Sequence, residues 1–142
     1  MDSHAIDDLN SLLEAELAAV ESYSQALPKV HDQKVANVFR ECQETHKHHS
    51  EKLQTAIKDM GGSPATSSGG WTGLSKLLTA GAAAAGDNSL VSAMEQGEDV
   101  RLADYEWILL SMHGAYRSMV RDELLPEEKA IHEKLSALSN SE

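Results

Sequence analysis

Apolar residues along this chain recur in alternating steps of three and four, the spacing that aligns one face of an α-helix. Four stretches carry the pattern. In residues 6–27 the seam is Ile6, Leu9, Leu13, Glu16, Val20, Tyr23 and Leu27, and Pro28 ends the run. In residues 35–60 it is Val35, Phe39, Cys42, His46, His49, Leu53, Ala56 and Met60. In residues 90–112 it is Val91, Met94, Glu98, Leu102 (or Arg101), Tyr105, Leu109 and Met112, with Ser89 or Asn88 as the expected N-cap. Residues 115–138 make the fourth, with a kink or restart expected at Pro126. Beyond that proline two registers fit. One is Leu124, Glu128, Ile131, Leu135 and Leu138; the other is Leu125, Glu128, His132 and Leu135.

The connections are short, long and short. Residues 28–33 join the first two helices, which should be antiparallel neighbours. Gly61-Gly62-Ser63-Pro64 stops the second helix with a glycine C-cap followed by proline. Residues 61–89 are rich in Gly, Ser, Thr and Ala, with a short helix expected around 73–84 and packing expected from Trp71, Leu74, Leu77 and Leu78. A connection this long implies a crossover running the length of a bundle, about 35–40 Å. His113-Gly114 makes the last tight turn. The chain therefore reads as one all-α domain over residues 1–142, two helical hairpins joined by a single crossover. Period-two runs of β-branched residues are missing, which argues against a sheet.

Composition narrows the function classes. The chain has 142 residues, 41% of them hydrophobic, and a formal net charge of -11. Such a surface repels nucleic acid and anionic lipid and attracts cations. No apolar run approaches the ~20 residues of a membrane span, and the start of the chain does not read as a signal peptide. Cys42 is the one cysteine, so no intrachain disulfide forms, and a cytoplasmic location is the expectation.

What the apolar seams carry besides apolar residues is the chemical signal. Glu16, His46, His49, Glu98, Glu128 and His132 fall on buried seams near the middle of their helices. A buried imidazole needs a partner, since an unpaired nitrogen costs ~1–3 kcal/mol. Several buried carboxylates repel one another and cost more still. Transition-metal ions answer both demands, because carboxylates bridge them and imidazoles cap them. Gly97, beside Glu98, costs ~1 kcal/mol of helix stability relative to alanine, which implies a close approach there.

These motifs support a resemblance. Leu9-Asn10, Glu16-Leu17-Ala18-Ala19-Val20-Glu21-Ser22-Tyr23, Gly61-Gly62-Ser63-Pro64, Gly97-Glu98-Asp99 and Ile131-His132-Glu133-Lys134-Leu135 resemble the ferritin-like superfamily. The motifs are near those of bacterioferritin and rubrerythrin. Over its whole length the chain is most similar to small uncharacterised bacterial bundle proteins with a domain of unknown function. The resemblance implies a ferritin-like four-helix bundle whose core holds one or two transition-metal ions, Fe, Mn or Zn. It also implies oxidase- or peroxidase-type chemistry with oxygen or peroxide. Two departures stand out from the usual plan of one Glu from each of two helices and Glu-x-x-His from each of the others. The second helix has His46-x-x-His49, with Glu44 off the seam. The fourth has Glu128-x-x-x-His132, one residue longer. Neutral imidazoles in place of carboxylates favour Zn, Fe(II) or Mn(II) over a ferric pair.

Tyr23 and Tyr105 lie seven residues from Glu16 and Glu98, a spacing that fits core residues first, and redox-active residues or supports of the ligands otherwise. Cys42 reads as a buried structural thiol. His4, His31, His48 and His113 read as surface or turn residues. A metal-free structural or stress-related interaction bundle is the alternative function, and a homodimer through a helix face is compatible with either.

Overall fold

The computed structural model describes residues 3–69 and 86–140. Helix α1 spans Ser3–Ala26 and α2 spans Gln33–Asp59, joined through a 3-10 turn at Leu27–Lys29 that holds Pro28. Helix α3 spans Asp87–Ser111. Helix α4 covers residues 117–140 in three continuous parts: Arg117–Met119, a π-helical segment Val120–Leu124, and Leu125–Asn140. Helix α1 packs chiefly on α2, and α3 on α4. The expected bundle of two hairpins is therefore present, and the described residues contain no strand.

Local chemistry sets the ends of these helices. Asp32 caps α2 by accepting from the Lys34 N–H at 2.9 Å. At its other end Gly62 N–H reaches back to Ile57 C=O at 2.9 Å, closing a C-terminal motif with Gly61 at φ 81°. Gly62 is needed for a different reason: a Cβ there would meet Ile6 Cγ2 at 2.8 Å. The start of the crossover is clamped by Asn10, whose side chain donates to Ser63 C=O (3.1 Å) and accepts from Ala65 N–H (2.8 Å). The short helix expected at 73–84 and the packing of Trp71, Leu74, Leu77 and Leu78 lie outside the described residues.

Helix α3 begins earlier than its expected cap at Ser89 or Asn88. Gly86, at φ 98°, holds the N-cap position, and Asp87 occupies the first turn. The Asp87 carboxylate accepts from the backbone N–H groups of His31 (3.0 Å) and Asp32 (2.7 Å), so the start of α3 is tied to the α1–α2 connection. At Pro126 the helix neither breaks nor restarts. Proline cannot donate and its ring crowds the carbonyl four residues back. The π turn just before it, with Leu125 N–H bonded to Val120 C=O, lets the helix continue.

The core comes in two apolar clusters. One holds Leu9, Leu12, Leu13, Leu53, Ile57, Leu109 and Leu124; the other holds Tyr23, Phe39, Leu90, Met94, Ile131 and Leu135. Large apolar side chains exposed among the described residues are Val100, Trp107 and Leu110, on α3. No described helix is long and apolar enough to cross a membrane.

Candidate metal centre

Buried polar side chains from all four helices meet in the middle of this bundle. Glu16 of α1, His46 and His49 of α2, Glu98 of α3 and Glu128 of α4 are each fully buried. Each follows from its seam, where the helix points inward every third or fourth residue whatever its side chain. His46 donates through Nδ1 to Glu16 Oε2 (2.5 Å) and through Nε2 to Glu98 Oε2 (2.8 Å). His49 reaches Glu16 Oε1 through Nδ1 (3.2 Å) and Glu127 Oε1 through Nε2 (2.7 Å). Two tyrosines complete the layer. Tyr105 donates to Glu16 at 2.6 Å, and Tyr23 donates to Glu98 at 2.5 Å.

The same burial acts on every carboxylate, yet their proton affinities diverge. Burial raises the Glu16 carboxyl, but the charge and hydrogen bonds of His46 and His49 outweigh it and hold it at about 2. Glu98 likewise falls well below the usual range, with burial opposing and His46 and Arg101 prevailing. Glu128 moves the other way: burial and the neighbouring Glu98 charge push it well above that range. His46 would lose its proton through burial, but Glu98 and Glu16 raise it to about 9. Burial and the adjacent carboxylates keep both tyrosine hydroxyls protonated.

His132 does not join the cluster. The structure takes the register of Leu124, Glu128, Ile131, Leu135 and Leu138, which turns His132 outward, 29% exposed, to pair with Asp99. Two groups absent from the expected set are present. Arg101, 2% exposed, places Nη1 3.2 Å from Glu98 Oε1 and donates Nε to Ala15 C=O at 3.1 Å. Its position on the α3 seam was legible, since Arg101 satisfies the three-and-four spacing as well as Leu102. Glu127 reaches His49 from the edge of α4 while about half exposed, and no periodicity signalled it.

The match to a known family now has its structural setting. This chain belongs to the family described as a domain of unknown function (DUF2383), matched over residues 4–110. That match covers Glu16, His46, His49 and Glu98, and stops before Glu128. A solved structure described as ferritin like, diiron-carboxylate proteins from Bacillus anthracis str. Ames aligns with 98% of this chain and 99% of its own. The identity is 19% and the TM-score 0.75, which shows the ferritin-like fold. Among curated proteins nothing matches the chain.

The donor set suits a cation. Neither buried oxygen of Glu128 has a donor within reach, and its own proton is what it can offer to Glu98, whose Oε1 faces the Arg101 guanidinium. Ligand atoms of His46, Glu98 and Glu128 lie within 4.8 Å of one another, as do those of Glu16, His46 and His49. Buried oxygens without donors are rare in folded proteins and call for a proton or a positive charge.

Proposed function

We propose that this protein is a ferritin-like metal-binding bundle, with Glu16, His46, His49, Glu98 and Glu128 as the ligand set. The observation that carries this reading is Glu128. A fully buried carboxyl with no donor at either oxygen, facing Glu98, must hold a proton or a cation, and a metal ion shared with Glu98 and His46 answers that need with ligands already in reach. Mixed imidazole and carboxylate ligands suit Fe(II), Mn(II) or Zn(II). His132 is outside the ligand set because its side chain is engaged by Asp99.

A bound iron or manganese ion would supply electrons to oxygen or peroxide, as in oxidase- or peroxidase-type chemistry; zinc would bind without that capacity. The chain's own contribution is orientation and exclusion of water. Tyr105 and Tyr23 fix Glu16 and Glu98 through short hydrogen bonds, and the apolar clusters seal the layer above and below. Elemental analysis after anaerobic reconstitution with Fe(II), Mn(II) and Zn(II) tests the reading. Retained metal is expected at stoichiometric levels in the wild type and is lost in Glu128→Leu. Retention well below one ion per chain for all three metals would overturn it.

A further inference from the structure

The buried charges of the polar layer do not balance two divalent ions. Di-metal carboxylate bundles supply four carboxylates and two imidazoles, one Glu from each of two helices and Glu-x-x-His from each of the others. Here α2 has His46 where that plan has Glu, and α4 has Ile131 where it has His. Ile131 is buried in the apolar cluster with Leu135, so no imidazole comes from that position. Three carboxylates remain: Glu16, Glu98 and Glu128. Among them lies the Arg101 guanidinium, which keeps its proton at any accessible pH. In the ligand state, with all three carboxylates ionised and both imidazoles neutral, three negative charges and one fixed positive charge leave a deficit that one divalent ion cancels.

We infer that the site takes one divalent transition-metal ion per chain, with the Arg101 guanidinium supplying the positive charge that a second ion would otherwise bring. This rests on the metal-binding reading above. A second divalent ion would leave the layer with an uncompensated double positive charge between two apolar clusters. Ligand geometry agrees. His46 belongs to both candidate groups, and a neutral imidazole has one lone pair, so it serves an ion on one side at a time. Glu127 does not rescue the balance, because its carboxylate is 48% exposed and water carries much of its charge.

Equilibrium dialysis of the full chain against Mn(II) alone, with elemental analysis and electron paramagnetic resonance, tests this. The wild type should saturate at one ion per chain with the spectrum of isolated Mn(II). Saturation at two, or an exchange-coupled spectrum, overturns the inference and leaves the metal-binding reading standing. No uptake of Mn(II) here, together with none of Fe(II) or Zn(II) in the reconstitution above, overturns both. Arg101→Met should raise the plateau from one ion to two, whereas Arg101→Lys, which keeps the charge, should stay at one. A plateau of one in folded Arg101→Met would overturn the role given to the guanidinium. Should that variant fail to fold, the wild-type plateau and the Arg101→Lys plateau still decide the stoichiometry.

Discussion

Glu16 and Glu128 are the same residue at the same depth in the same layer, and they behave as opposites. Glu16 accepts from His46, His49 and Tyr105, so its charge is spread over three donors and its carboxyl titrates at about 2. Glu128 accepts from none, faces the charge of Glu98, and holds its proton far above the usual range. Burial pushes both upward. The number of donors within reach decides which one stays charged. A buried carboxylate with its donors in place is part of the fold; one without them is a vacancy in the electrostatics that a proton or a metal ion fills.

The largest expected effect comes from removing the satisfied member. Glu16→Leu takes the acceptor from three donors, one of them the His46 imidazolium, and should destabilise the metal-free protein by ~3–5 kcal/mol. Urea unfolding of chelator-treated protein measures it. A neutral or stabilising result would mean that the polar layer is expendable, as a metal-free interaction bundle requires, and the contrast with Glu128 would collapse.

Removing the unsatisfied member should do the reverse, and with a pH signature. The folded-state carboxyl of Glu128 is raised, so its contribution is present below about 4.5 and is lost as pH rises toward its folded value. Glu128→Gln has no such loss. In metal-free protein the variant should therefore gain on the wild type as pH rises above 4.5, with a slope no steeper than about 1.4 kcal/mol per pH unit. Unfolding curves at several pH values read the gap directly. A gap that stays constant with pH would show that Glu128 is solvated or already paired.

The contrast also explains what could be read from residues alone. Glu16, His46, His49 and Glu98 were legible because each interrupts an uninterrupted apolar seam on a straight helix, where every third or fourth position must face inward. Their donors were only half legible. Tyr23 and Tyr105 sit on the seams, but spacing along one helix says nothing about which carboxylate on another helix a hydroxyl will meet. Arg101 and Leu102 fit the α3 seam equally well by spacing, and an expectation of apolar burial selects the wrong one. Glu127 contacts His49 from a helix edge, which has no periodic signature. Helix α4 was the hardest case. Its π turn at Val120–Leu124 adds a residue to one turn and changes the phase just ahead of Pro126, so a register counted from upstream cannot be carried through.

That phase leaves the smallest effect as the sharpest check on where the unsatisfied half of the layer ends. Ile131 and His132 are adjacent, and about 100° of helical rotation separates a buried side chain from one at the surface. The structure buries Ile131 and turns His132 to Asp99, a pair exposed by 29% and 58%. Exposed pairs of this kind contribute roughly 0–1 kcal/mol. His132→Ala should therefore lower stability by no more than about 1 kcal/mol and leave metal content unchanged, measured by unfolding and elemental analysis on one preparation. Loss of the ion in His132→Ala would bring an imidazole to Glu128 after all. It would give that carboxylate the donor the structure denies it, and remove the difference from Glu16 on which the other expectations depend.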